Sequence, residues 1–203
     1  MTLMTERPTI SGTEPHSFED LLDALDKLIV PDGYKAEIIR ASIVLSPFSK
    51  AYYTRVMRLV CQQLESYLPT GHTIERAPNL FVFPEGERAY GPDVYAADDR
   101  VFDADSNHLD GDALSFVAEL TSSSTRDNDL TDKVLVYGKA GVPVYLLLDM
   151  QEKQATVFST PSAKGYESRC TVPFGEDLAI PAPFDCTLDT GGFLTAVTKN
   201  SAP

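Results

Sequence analysis

Gly91-Pro92-Asp93-Val94 is followed by Phe116-Val117-Ala118-Glu119-Leu120 and then by Asp129-Leu130-Thr131-Asp132-Lys133, so successive segments offer two acids and a lysine. Carboxylate oxygens on rigid strands suit hard divalent cations, and a nearby ammonium can orient or deprotonate water while balancing charge that develops on a phosphate. Such a set would serve metal-dependent cleavage of a phosphodiester if the three side chains meet in space. Pro-Asp alone is usually a turn, and Asp93 gains weight from the strand that follows it and from its pairing with Glu119. Glu119 sits in the apolar run from Leu114 to Leu120, where an ionised carboxylate is costly unless paired or metal-bound. The bland alternative is an edge-strand acid facing solvent.

The elements that must position these residues follow from periodicity. Ser17 caps a short amphipathic helix carrying Leu21, Leu22, Leu25 and Leu28, with Asp20 three residues on, and Pro31-Asp32-Gly33 ends it. Tyr34 to Leu45 reads as one or two strands joined near Arg40-Ala41. A longer helix is predicted from about Ser49 to Tyr67, with Val56, Leu59, Val60 and Leu64 on one face. His72 to Phe83 and Pro92 to Ala97 read as adjacent strands, and the acidic run Asp98 to Asp112 as a surface loop. Ser115 to Thr121 is a strand, Asp127 to Ala140 a helix with Leu130, Val134 and Tyr137 inward, and Val144 to Asp149 a strand buried on both faces. Lys133 shares the angular position of Leu130 and Tyr137, so it points at the sheet, unless it only snorkels from the helix border. Short antiparallel strands are expected over 155–158, 165–172, 178–180 and 184–188.

Composition bounds the rest. The chain has 203 residues, 43% of them hydrophobic, enough for one sizeable core and too few for two ordinary domains. We expect a mobile tail over 1–15, a single domain over 16–195 and a C-terminal tail over 196–203. Neither a membrane span nor a signal-peptide layout is present in the sequence, which makes a cytoplasmic protein the expectation. Cys61, Cys170 and Cys186 are odd in number and widely spaced, pointing to neither a disulfide framework nor a zinc site. A net charge of −13 opposes non-specific attraction to nucleic acid. The acidic loop lacks an ordered calcium-binding register, and Ser122-Ser123-Ser124 lacks the strained turn of a serine hydrolase.

The run Glu119-Leu120-Thr121-Ser122-Ser123-Ser124-Thr125-Arg126, continuing through Asp129-Leu130 and Lys133 to Tyr137-Gly138-Lys139-Ala140-Gly141-Val142-Pro143 and closing at Asp149, resembles the PD-(D/E)XK nuclease superfamily. Within it the chain is similar to the bacterial restriction-endonuclease-like branch named Uma-two, over roughly residues 18–190. The resemblance implies an α/β fold of the α+β kind. Its restriction-endonuclease-like core would be a central mixed β-sheet flanked by helices, here with extra C-terminal antiparallel strands. It implies Asp93 and Glu119 as metal ligands at an active edge, with Glu37 as an additional acid near the metal. Many relatives carry the lysine two residues after the second acid. That position is Thr121 here, and the branch looks to have moved the ammonium to the following helix, at Lys133. Where the branch commonly reads Gly-Val-Pro-Glu-Tyr-Trp, this chain has Gly141-Val142-Pro143-Val144-Tyr145-Leu146, and an early helix histidine of the branch is missing.

The expectation is therefore a Mg²⁺- or Mn²⁺-dependent nuclease acting on DNA. Asp93 and Glu119 would hold the ion, the Leu120 carbonyl would add an oxygen, Lys133 would act on water and Glu37 would tune the site. Arg126 and Thr121 are the substrate candidates, with Arg126 alternatively paired to Asp129 at i+3. Dimerisation would let two copies cut two strands. The rivals are a fold-retaining interaction module without activity and a small-molecule enzyme. A basic stripe of Lys50, Arg55, Arg58 and Arg126 would favour the nuclease, and an enclosed apolar pocket beside Asp93 and Glu119 the small-molecule enzyme.

Overall fold

The computed structural model describes residues 17–47, 50–76, 78–121 and 126–198. The expected tail over 1–15 lies outside them. In chain order the elements are α1 (Phe18–Asp26), β1 (Tyr34–Ile39), β2 (Ser42–Pro47), α2 (Tyr53–Leu64), β3 (His72–Glu75), β4 (Leu80–Phe83), β5 (Arg88–Tyr90), β6 (Val94–Asp98), β7 (His108–Asp110) and β8 (Leu114–Thr121). They continue with α3 (Arg126–Leu130), α4 (Asp132–Lys139), β9 (Val144–Asp149), β10 (Gln154–Ser162), β11 (Gly165–Pro173), β12 (Asp177–Ile180), β13 (Cys186–Asp189) and α5 (Gly191–Thr198).

Two sheets face each other. The larger runs β11-β10-β9-β8-β6-β3 and the smaller β2-β1-β5-β4-β7, while β12 and β13 form a separate hairpin. β8 and β9 are parallel, joined across one face by α3 and α4, and β9, β10 and β11 continue antiparallel. One face of the larger sheet (Val94, Phe116, Ala118, Leu146, Leu148) packs on α2, α5 and the β12-β13 hairpin. The other face (Tyr95, Val117, Tyr145, Leu147) packs on α4 and on Ile39, Phe81, Phe83 and Tyr90 of the smaller sheet. α1 covers the outside of the smaller sheet through Phe18 against Ile38 and Ala89.

Local chemistry explains the elements. Ser17 and Asp20 form a capping box at the start of α1, each side chain accepting the other's backbone N–H. Tyr53, Val56, Val60 and Leu64 make one buried stripe on α2, each aliphatic member stabilising the fold by roughly 1.5–3 kcal/mol. Gly138 on α4 lies against Gly165 so closely that a Cβ would run into the Gly165 backbone, which lets α4 lie flush on the β10-β11 hairpin.

Several expectations change. His72 to Phe83 is not one strand: β3 pairs with β6 in the larger sheet, and after Pro78 the chain moves to the smaller sheet, where β4 pairs with β5 and β7. α2 begins at Tyr53, and Ser49 lies outside the described residues. The helix expected over 127–140 is broken at Thr131 into α3 and α4. The acidic run contains 3-10 turns and the short strand β7. α5 carries ordered chain to Thr198, past the boundary at 195, because Phe193, Ala196 and Val197 bury themselves against the core.

Candidate active site

The inner faces of the two sheets and the α3-α4 crossover meet at one cluster of charged side chains. From the smaller sheet come Lys35 and Glu37, which strand alternation puts on the same inward face of β1 as Ile39. From the larger sheet comes Glu119, on the same face of β8 as Val117. β6 and β8 are antiparallel with Val94 opposite Ala118 and Tyr95 opposite Val117, so one further step of register puts Asp93 opposite Glu119. The Leu120 N–H donates to Asp93 Oδ2 at 2.8 Å, fixing that carboxylate. Leu120, whose carbonyl is expected to offer a metal an oxygen, meets Asp93 through its N–H.

Lys133 is at the centre. Its Nζ lies 2.8 Å from Glu119 Oε1, 3.2 Å from Asp129 Oδ1 and 3.4 Å from Glu37 Oε1. The Tyr137 hydroxyl donates to the same Glu119 oxygen at 3.1 Å, and the Tyr90 ring lies 5.4 Å from the ammonium. Glu37 Oε1 accepts the Gly91 N–H at 3.0 Å, while Lys35 Nζ donates to the Gly91 carbonyl at 2.9 Å. Glu37, Glu119, Asp129 and Lys133 are each about as buried as core leucines, at 2% exposure. Asp93 is half-buried, and the Lys35 side chain, at 23%, reaches solvent. The mouth of the cluster is therefore the Lys35 and Asp93 side.

The electrostatics follow from this crowding. Burial pushes Glu119 up to about 8, with the charges of Asp129 and Asp93 adding to the rise and those of Lys133 and Lys35 opposing it. Burial also raises Asp93, against the pull of Lys35 and of the Leu120 N–H. Glu37 goes the other way: burial would raise it, but Lys133, Lys35 and the Gly91 N–H together hold it below its ordinary value. Burial acts to lower Lys133, and Glu119, Glu37 and Asp129 overcome it, holding the ammonium well above the usual lysine range.

A second network anchors the helix that carries Lys133. Asp132 accepts from Arg88 Nε at 2.9 Å, from the Tyr90 hydroxyl at 2.6 Å and from Arg40 Nε at 3.3 Å. Asp132 thus ties the first turn of α4 to β5 and to the β1-β2 turn, while Lys133, one residue on, turns inward.

The substrate candidates are both at the Asp149 end of β8 and β9. Arg126 pairs with Asp149 at 2.8 Å, not with Asp129. Thr121 is fully buried at the end of β8, in register with Asp149 and two residues beyond Glu119 on the same strand face. Three participants were missing from the expected set: Asp129, Lys35 and Tyr137. Each carried a signal, since 129, 133 and 137 repeat at the four-residue spacing of one helix face and 35 and 37 share a strand face.

The donor set suits a hard divalent cation. Four carboxylates (Glu37, Asp93, Glu119, Asp129) face two ammonium groups (Lys35, Lys133); fully ionised they would carry two negative charges in excess, and burial instead shifts Glu119 and Asp93 toward their neutral forms. Among the described residues no three His, Cys, Asp or Glu side chains converge as a ready-made cage; Lys133 lies between them. A groove lined by Arg55, Arg58, Leu59, Gly192, Thr195 and Ala196 belongs to the α2-α5 layer on the opposite face of the larger sheet. No helix among the described residues is long and apolar enough to cross a membrane.

Two facing sheets, with a βαβ crossover that gathers acids and a lysine at their inner edge, define a restriction-endonuclease-like protein. The sequence matches the Uma2 family, whose description reads "Putative restriction endonuclease", over residues 18–191, and the chain belongs to that family. Among solved structures it is similar to a protein from Anabaena variabilis described as "a putative nuclease belonging to DUF820", with a TM-score of 0.69, 15% identity, and coverage of 90% of this chain and 99% of that one. No curated protein matches the sequence.

Proposed function

We propose that this protein hydrolyses phosphodiester bonds, in DNA, with Mg²⁺ or Mn²⁺ held at the Asp93 and Glu119 edge. One observation carries the reading: four carboxylates converge around two ammonium groups, an excess of acids that a divalent cation would neutralise once Glu119 and Asp93 ionise. The descriptions of the family and of the Anabaena protein support the nuclease class. Asp93 and Glu119 would hold the ion, with the Leu120 carbonyl as a further oxygen and Glu37 tuning the site. A bound ion of this kind polarises a phosphoryl oxygen and lowers the pKa of its water.

The remaining chemistry belongs to the chain's own residues. Lys133 keeps its charge beside Glu119 and is aimed to orient a water or steady charge on the phosphate. Lys35, at the mouth, would meet a phosphate oxygen first. Arg55 and Arg58 are exposed on α2, on the opposite face of the larger sheet from the cluster, so they would attract DNA to the molecule without reaching the scissile phosphate.

The test is calorimetric titration with Mn²⁺ alongside cleavage of supercoiled, linear and single-stranded DNA, using Asp93→Ala as control. Wild type should bind Mn²⁺ and cut, and the variant should do neither. Binding without cleavage of any DNA would favour a small-molecule phosphodiester substrate. Absence of binding would leave a nuclease fold serving as an interaction module.

A further inference from the structure

Asp129 has no role in the site as expected from sequence, yet its place is fixed from several sides. Its backbone carbonyl accepts the buried Tyr145 hydroxyl at 2.9 Å, pinning the end of α3. The helix then breaks at Thr131 (φ −122°, ψ −69°), and Asp129 Oδ1 comes within 3.2 Å of Lys133 Nζ. That oxygen is buried and, among the described residues, has no hydrogen-bond partner. A buried carboxylate oxygen without a hydrogen bond is costly, and such an atom calls for an explanation.

The Glu119 and Glu37 oxygens nearest Lys133 already accept hydrogen bonds. Glu119 Oε1 accepts both Lys133 and Tyr137. Glu37 Oε1 accepts the Gly91 N–H and lies 3.7 Å from Lys35. Among the described residues' oxygens within 3.4 Å of the ammonium, the one without a hydrogen bond is Asp129 Oδ1. On the reading that a divalent cation binds at Glu119, that cation competes with Lys133 for one carboxylate and repels it at close range. An ammonium buried this deeply cannot be left without a partner.

We propose that Asp129 is a positioning residue, a second seat for Lys133: when a cation takes Glu119, the ammonium passes its hydrogen bond to Asp129 and stays charged beside the reacting group. Asp129 Oδ1 is then the acceptor held ready for that exchange. Lys133 moves between two oxygens it already touches, so neither α3 nor α4 has to shift.

The experiment is a double-mutant cycle read by Mn²⁺ calorimetry on the full chain, with wild type, Asp129→Asn, Lys133→Met and the pair, and with thermal unfolding of all four as the check on folding. Asp129→Asn should weaken Mn²⁺ binding at least about ten-fold when Lys133 is present, the scale of one stranded buried charge. With Lys133→Met the same change should cost less than about two-fold, the range in which uncoupled sites add. A crystal structure of the wild type with Mn²⁺ is the second measurement, needed if Lys133→Met does not fold, and Nζ should lie nearer to Asp129 than to Glu119. Equal losses in both backgrounds, or Lys133 still nearest Glu119 with Mn²⁺ bound, overturn the second seat and leave the metal reading standing. No Mn²⁺ binding by wild type overturns both.

Discussion

Glu119 is held in a place that favours its neutral form. Its folded pKa of about 8 exceeds the ordinary 4.5, so the folded chain binds this proton more tightly than the unfolded chain. The contribution to stability is full below pH 4.5 and is lost as pH rises through about 8. In buffer free of divalent cations the melting temperature should fall across that window, and Glu119→Gln, which cannot ionise, should flatten the fall. A slope unchanged in the variant would assign it to another group. Lys35 makes a separate residue-level case, because its side chain reaches solvent while Lys133 does not. Lys35→Ala should raise KM for DNA several-fold more than it lowers kcat, as expected for a phosphate contact made equally in the ground and transition states. Steady-state kinetics on an oligonucleotide duplex reads the split, and a loss confined to kcat would place Lys35 in the chemical step.

At the scale of elements, α4 depends on Asp132, where Arg88, Arg40 and Tyr90 converge. Asp132→Ala strands the mostly buried Arg88 guanidinium and the buried Tyr90 hydroxyl, while Arg40 stays in solvent, and should cost about 2 kcal/mol in urea unfolding, the scale of buried polar groups left without a partner. A cost under about 1 kcal/mol would put it in the class of surface pairs and show that α4 is held by packing alone. The elements also show what was legible. Glu119 stood out because a charge in an apolar strand needs a reason, and Lys133 because the helical angle of Leu130 and Tyr137 aims it inward. Glu37 came only from likeness to a family, since a strand acid near Lys35 is ordinary. The break at Thr131 was not legible, because it depends on Tyr145 reaching the Asp129 carbonyl from another element. The division of 72–83 between two sheets had a signal at Pro78, but which sheet each half joins is set by long-range pairing.

For the whole molecule, charge is the governing quantity. A chain of net charge −13 repels DNA over most of its surface, with local exceptions near exposed cations such as Arg55 and Arg58 and near the partly exposed Lys35. Cleavage should therefore be slow at low Mg²⁺, rise with Mg²⁺ beyond what site occupancy requires, and fall with added NaCl more steeply than for a neutral nuclease. A Mg²⁺ and NaCl grid with Asp93→Ala subtracted gives the answer; a rate indifferent to NaCl would mean that DNA is not held by charge. The site itself is drawn from both sheets and a crossover helix, from Lys35 to Lys133 along the chain. It cannot exist in part, because an ammonium desolvated before its carboxylates arrive would be a folding intermediate of high energy. Desolvation of the cluster then belongs to the last stage of refolding, after strands far apart in sequence have paired, and a chain with such non-local contacts folds slowly. Recovery of Mn²⁺ binding after dilution from denaturant should lag behind recovery of strand circular dichroism, so the cluster serves as a clock for the closing of the two sheets.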